Sequence, residues 1–276
     1  MAGPLPHWRS GTVGSGGEDV YFEVTGDDGA PAVVLTHGAG GSHAAWYQQV
    51  PALAAAGYRV VTWDSRGFGR SSYRTGVHGP DAAAADLAAV MDELGIVEAH
   101  HVGQSMGGWW VTAFALAHPT RVRSLTLSNT VAGCWTDALR DHFRHWAGDF
   151  TAGESRLGIH PAIGRDLVAR DPAKAFLYQQ LNTFHAPPMT EIVVALWRMR
   201  IEPEQLGALR VPVLVVTGAD DGLFPPALVR AGLSRIDGAR VVELPGAGHS
   251  PYFERPDEYN AVLLDFLGPA DRISSQ

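Results

Sequence analysis

Short apolar runs alternate with longer stretches that end in helix-stopping glycine or proline, and this alternation leaves few folds open to the chain. Residues 32–36, 59–63, 99–103, 122–128, 213–218 and 240–244 read as strands, with 32–36 a short apolar run. Between and after them, 44–56 stops near Gly57, 82–94 stops at Gly95 with Asp81 placed to cap it, and 106–117 stops before His118-Pro119. Residues 226–236 and 256–267 also read as helices. Strand–helix alternation of this kind implies right-handed βαβ units around a mostly parallel sheet. Runs with little polar interruption suit strands covered on both faces. Two further strands, 8–13 and 20–24, flank Gly14-Ser15-Gly16-Gly17, which reads as a hairpin turn.

The alternation is interrupted once. Residues 133–205 hold no convincing strand and read as helices rich in Trp, Phe and His. The expected architecture is therefore α/β: a mostly parallel eight-stranded sheet with helices on both faces, built from residues 1–132 and 206–276. The block 133–205 is expected to be a helical cap inserted after the sixth strand, and 268–276 a loose tail.

The chain has 276 residues, 46% hydrophobic and 18% charged, which marks a globular protein able to bury a sizeable core. Its net charge of −8 argues against a nucleic-acid partner, because phosphates favour a basic surface. A single cysteine, Cys134, excludes an intramolecular disulfide and reads as a packed thiol. The N-terminal residues lack a basic start and an apolar stretch, and no apolar run approaches the ~18 residues of a membrane span. The expectation is a cytoplasmic protein with a small-molecule substrate and no membrane partner. The oligomeric state leaves no signature in the sequence.

Chemistry concentrates at Gly103-Gln104-Ser105-Met106-Gly107-Gly108. This is G-x-S-x-G directly after an expected strand and directly before an expected helix, the context a nucleophile elbow requires. A turn this sharp strains the serine backbone and crowds the positions two before and two after it, so glycine stands there. The serine Oγ is thereby exposed at the carboxyl edge of the sheet, with a helix N-terminus aimed at developing negative charge.

A serine hydroxyl needs a base, and an acid must orient that base. His249, in Gly246-Ala247-Gly248-His249-Ser250-Pro251, follows the strand 240–244 and reaches the same sheet edge. The acid follows the strand 213–218 in Gly218-Ala219-Asp220-Asp221-Gly222, where either aspartate satisfies the order Ser, acid, His. The oxyanion hole is assigned to the backbone N–H of Met106 and to that of Ala39, in His37-Gly38-Ala39-Gly40-Gly41 after the strand 32–36. Gly38, Trp109, Trp135, Trp146 and Trp197 are the expected substrate contacts. Trp135, Phe143, Trp146, Phe150, Phe176, Tyr178, Phe184 and Trp197 give the middle block much apolar surface, which suits a medium-to-bulky apolar substrate.

Two motifs are discounted. Gly67-Phe68-Gly69-Arg70-Ser71-Ser72 lacks the third glycine of a dinucleotide fingerprint. His142 and His145 with Asp141 and Asp149 read as a solvated helix face rather than a metal site. No cofactor or metal is expected.

With these stretches together, and with Trp46 and Asp64-Ser65-Arg66-Gly67-Phe68-Gly69-Arg70-Ser71, the chain resembles an α/β-hydrolase of the esterase, lactonase and C–C hydrolase group with a helical cap. The resemblance covers about residues 20–267, the middle block being the family's variable cap. In such proteins the acid usually stands three residues after the glycine that ends its strand, which implies Asp221. Asp64 and Arg66 match a turn that is usually structural there. Haloalkane dehalogenases and epoxide hydrolases of this fold carry aspartate at the elbow, whereas this chain has Ser105. Hydrolases of meta-cleavage products often have Asn before the serine, whereas this chain has Gln104.

The expected function is a carboxylic ester hydrolase or lactonase working through an acyl-enzyme. The alternatives are a hydrolase of carbon–carbon bonds in diketone-like substrates, a lyase or cofactor-free oxygenase on the same scaffold, and a triad-bearing ligand receptor with slow turnover.

Overall fold

Eight strands form one sheet in the order β1-β2-β4-β3-β5-β6-β7-β8. They are β1 (Trp8–Ser15), β2 (Glu18–Thr25), β3 (Ala32–Thr36), β4 (Arg59–Trp63), β5 (Ala99–Gln104), β6 (Val122–Ser128), β7 (Val213–Gly218) and β8 (Arg240–Leu244). The structure, a computed structural model, describes residues 7–152, 162–182, 184 and 186–274, without the side chains of 146–152, 165 and 269–274. The β1–β2 and β2–β4 pairings are antiparallel and all others parallel, so the sheet is mostly parallel as the alternation implied.

Side chains of the central strands alternate between two cores. Val33, Leu35, Val102, Leu214 and Val216 face one side, where they meet Leu53 of α1 (Gln49–Ala55) and Tyr259, Leu263 and Leu267 of α11 (Pro256–Ser274). Val34, Leu125, Val213 and Val215 face the other. There they meet α2 (Pro80–Glu93), α3 (Met106–Ala117) and α9 (Pro226–Gly232) through Leu87, Met91, Trp109, Phe114 and Val229. Burial of both faces accounts for strands that read as continuous apolar runs rather than alternating ones.

Between β6 and β7 the regular structure among the described residues is helical. It comprises α4 (Asp137–Ala152), α5 (Arg165–Arg170), α6 (Pro172–Leu181), α7 (Met189–Arg198) and α8 (Pro203–Gly207). No helix among the described residues is long and apolar enough to cross a membrane.

Several local expectations are corrected. The first hairpin pairs Ser15 with Glu18, so Gly14 and Ser15 belong to β1 and the turn contracts to Gly16-Gly17. The helix expected at 44–56 breaks into a 3-10 turn, His43–Trp46, and α1. Pro51 is the cause: it has no N–H to donate and is tolerated only in a first turn, so α1 starts just before it. Asp81 does not cap α2. The helix begins at Pro80 with Gly79 at the N-cap, since proline is pre-organised for the first helical position. Helix α9 ends at Gly232 rather than 236, glycine being a poor helix interior residue. A separate short helix, α10 (Pro251–Glu254), precedes α11, which runs through Gly268 to Ser274 instead of leaving a loose tail.

The strand order places the site. From β3 the chain crosses to β4 on one side, while β5 lies on the other side of β3. The loops leaving the carboxyl ends of β3 and β5 therefore part in opposite directions and open a crevice at this switch point. Ser105 follows the last residue of β5, and His37 follows the last residue of β3.

Candidate active site

Ser105 adopts φ 50°, ψ −118°, a left-handed backbone that non-glycine residues rarely take, between β5 and α3. The turn is tight enough that a Cβ on Gly103 would stand 2.5 Å from the Gly107 carbonyl oxygen, and one on Gly107 would overlap the Thr36 carbonyl. Both positions thus require glycine for space rather than for their own dihedral angles. Gly107 at the start of α3 sits directly on the end of β3, which brings elbow and β3 loop together. Met106 is the first residue of α3, so its N–H is one of the helix donors without an intrahelical partner.

Gly38 lies against the nucleophile. A Cβ there would be 3.2 Å from Ser105 Cβ and would overlap Gln104 Oε1. His37 holds this loop. Its Nε2 accepts from the Ser65 N–H at 3.0 Å, so Nδ1 carries the proton and donates to the Gly38 carbonyl at 2.8 Å. Burial pushes the His37 pKa down and keeps the ring neutral, the form that can accept from Ser65. His37 is thus a loop strut.

The structure brings Asp221 and His249 together. His249 Nδ1 donates to Asp221 Oδ2 at 2.8 Å, with both side chains buried. Asp221 Oδ2 also accepts from Asn129 Nδ2 at 2.7 Å, and Oδ1 accepts from the N–H groups of Leu223 at 2.9 Å and Phe224 at 3.0 Å. These donors fix the orientation of the carboxylate. Asp220 is exposed, and its backbone N–H goes to the Ala247 carbonyl. The geometry therefore separates two neighbours that the residue pattern alone left equivalent. His249 Nε2 is buried and, among the described residues, makes no hydrogen bond, to Ser105 Oγ or to another group. Such contacts commonly tighten only when substrate is bound. The Gln104 side chain donates to the His249 carbonyl at 3.0 Å and so ties the elbow to the histidine loop.

Aromatic rings extend from this pair. Phe224 lies 5.5 Å from the His249 ring and 5.9 Å from Trp109. Trp109 lies 5.7 Å from Trp135, which stacks on Trp197 at 4.8 Å with the planes 1° apart. Phe143 joins both Trp135 and Phe224. By contrast, Phe176 and Phe184 are 63% and 51% exposed and do not line this surface. Tyr178 is buried with its hydroxyl on Ser250, and the side chains of Trp146 and Phe150 lie outside the described residues.

Sequence reasoning missed Asn129, Phe224 and Glu254. Asn129 follows the last residue of β6 at the same sheet edge and has φ 46°. Phe224 stands three residues past the acid; Glu254 is treated below. The discounted motifs are accounted for. Asp64 accepts from the N–H groups of His43 at 2.6 Å and Arg70 at 2.9 Å, and Arg66 forms a buried two-pronged pair with Asp86 at 2.7 and 2.5 Å. His142 and His145 each engage a backbone carbonyl, that of Gly222 and that of Asp141. Cys134 is buried, and burial pushes its thiol pKa up.

A mostly parallel eight-stranded sheet with a strained serine at the β5–α3 elbow defines an α/β-hydrolase. The chain belongs to that superfamily: residues 28–256 match the family described as serine aminopeptidase, S33. It is 32% identical over 281 residues to the protein of Azorhizobium caulinodans named "Putative carbamate hydrolase RutD", covering 93% of this chain and 98% of the relative. It is also 32% identical over 285 residues to a 2-hydroxy-6-oxononadienedioate/2-hydroxy-6-oxononatrienedioate hydrolase of Paraburkholderia phymatum, covering 90% of this chain and 91% of that protein. Among solved structures, a thermophilic esterase from Thermogutta terrifontis superposes with a TM-score of 0.78 at 25% identity, covering 95% of this chain and 99% of the esterase. The protein is a hydrolase of this superfamily.

Proposed function

We propose that the protein is a serine hydrolase that cleaves a carboxylic ester or lactone of a medium-to-bulky apolar small molecule. The observation that carries this reading is the His249–Asp221 pair at the sheet edge that also presents Ser105 on a strained elbow. Asp221 fixes the proton on Nδ1, which leaves Nε2 free to take the proton of Ser105 Oγ. Oγ then attacks the carbonyl carbon, and the N–H groups of Met106 and Ala39 receive the oxyanion. His249 returns the proton to the leaving alcohol. A water molecule, deprotonated by His249, attacks the acyl-enzyme and releases the acid and Ser105. No step draws on a cofactor.

The helices of residues 133–205 act as a cap on the core formed by 1–132 and 206–276. Phe224 packs on His249, and Trp135 and Trp197 extend an aromatic cluster from it, which favours an apolar acyl or alcohol group; Trp109, expected as a substrate contact, is instead fully buried in the core behind them. Replacing Ser105 by Ala should lower hydrolysis of short-chain aryl esters by several orders of magnitude. Wild-type turnover in that variant would remove the elbow from the mechanism.

A second reading has a specific support, the 32% identity to a hydrolase named for 2-hydroxy-6-oxo dienedioate substrates. In that reading the same residues cleave a carbon–carbon bond next to a ketone. Comparing kcat/KM on aryl esters and on vinylogous diketone substrates separates the two.

A further inference from the structure

The mechanism just described leaves unused a buried carboxylate that stands beside its base. Glu254 ends α10, is 2% exposed, and has no salt bridge among the described residues. Among the described residues its oxygens accept from backbone N–H groups. Oε1 takes the N–H groups of Gly248 at 3.0 Å and Ser250 at 3.1 Å; Oε2 takes those of Gly248 at 3.0 Å and Gly164 at 2.9 Å. Gly248 and Ser250 are the two residues on either side of His249. Gly164 belongs to the segment between β6 and β7, and it presses on the same loop: a Cβ on Gly248 would lie 2.5 Å from the Gly164 nitrogen. A second link runs beside the first, since Tyr178 of α6 shares a hydrogen bond of 2.8 Å with Ser250 Oγ.

Burying a carboxylate without a cation is unfavourable, and charge-assisted bonds from N–H groups offset only part of that cost. Burial accordingly pushes the Glu254 pKa up, against the pull of the N–H groups of Gly248, Gly164 and Ser250. What the carboxylate achieves in return is geometric. Two peptide units around the base are fixed from one point, and the same point holds the cap.

We propose that Glu254 is a positioning residue that clamps the backbone on both sides of His249 and joins it to the cap at Gly164, so that base and cap are set in one register. The proposal rests on the reading of His249 as the base. Its consequence is that loss of the clamp reduces the chemical step rather than substrate binding.

The test is Glu254→Gln in the full chain. The carboxamide keeps the size of the group but replaces one acceptor by an N–H2, so either Ser250 or Gly164 loses its acceptor whichever way the amide turns. Two quantities are read: the rate at which a fluorophosphonate labels Ser105, and kcat and KM on a short-chain aryl ester. Labelling and kcat should fall on the order of 100-fold, the scale set by ~1 Å of misplacement, while KM stays within about threefold. Circular dichroism should keep its wild-type form. Glu254→Asp retains the charge but shortens the reach by one methylene, and it should lose labelling in the same way. Wild-type labelling in folded Glu254→Gln would overturn the proposal. So would failure of both variants to fold, because the carboxylate would then serve folding and not position. If the wild-type protein itself is not labelled at Ser105, the triad reading fails, and that outcome is distinct from either.

Discussion

Replacing Asp221 by Asn changes one atom, and the surroundings dictate how the new side chain must sit. Oδ1 receives two backbone N–H groups, from Leu223 and Phe224, which cannot rotate away. The amide oxygen must therefore take the Oδ1 position, and the N–H2 must take the Oδ2 position. There it faces His249 Nδ1 at 2.8 Å and Asn129 Nδ2 at 2.7 Å. To meet a donor, the imidazole must present Nδ1 as an acceptor and carry its proton on Nε2. That tautomer cannot accept a proton from Ser105. A wrong-tautomer substitution of this kind lowers kcat by about 10⁴ in a serine protease triad, equivalent to roughly 5.5 kcal/mol at 1.36 kcal/mol per factor of ten. Asn129 Nδ2 loses its carboxylate acceptor but keeps the Gly248 carbonyl at 3.3 Å, so the added loss of stability should be about 1 kcal/mol, the net worth of one hydrogen bond. Steady-state kinetics on an aryl ester, with thermal unfolding in parallel, measure both. Asp220→Asn, at the exposed neighbour, should keep kcat within about twofold, as surface substitutions away from a site do. The reasoning is refuted if Asp221→Asn stays within tenfold of wild type, or if Asp220→Asn is the more damaging change.

Two further outcomes follow from other parts of the molecule. Arg66→Met should lower stability by about 3–5 kcal/mol in a urea titration, because it leaves Asp86 buried without its cation; a loss below 1 kcal/mol would contradict that. Glu18 has its pKa lowered from 4.5 to about 2: burial alone would raise it, and hydrogen bonds from Ser72, Arg74 and Thr75 outweigh that. Since the folded pKa lies below the unfolded one, its stabilisation is present above about pH 4.5 and is lost as the pH falls toward 2. Glu18→Gln should thus be less stable than wild type at pH 7, with the two urea midpoints converging by about pH 2, and a gap independent of pH would refute it.

Much of the sheet was legible from short strand-like stretches bounded by turn residues: β3, β4, β6, β7 and β8 have the bounds those stretches give. Helix ends were less so. Asp81 and the 226–236 span were read by helix-start and helix-stop rules, and Pro80 and Gly232, one residue or a few away, set the actual limits. The site divides in the same manner. Ser105, His249 and the Gly38 loop announce themselves through glycines that a close approach requires. Asn129 carries no local signature, because its partner Asp221 is 92 positions away, and Glu254, though close in sequence to Gly248 and Ser250, reaches them only through the fold of the loop and meets Gly164 90 positions away. The residue pattern leaves Asp220 and Asp221 equivalent; the family resemblance implies Asp221, and Asp221 is the one that meets His249 in the fold.

The central claim is an acyl-enzyme on Ser105, and mass spectrometry of protein quenched during turnover of an aryl ester tests it most directly. The account predicts a mass increase equal to the acyl group, mapping to the peptide that contains Gly103-Gln104-Ser105-Met106-Gly107 and absent from Ser105→Ala. An adduct on any other residue, or a Ser105→Ala protein that turns over the ester at the wild-type rate, would contradict it.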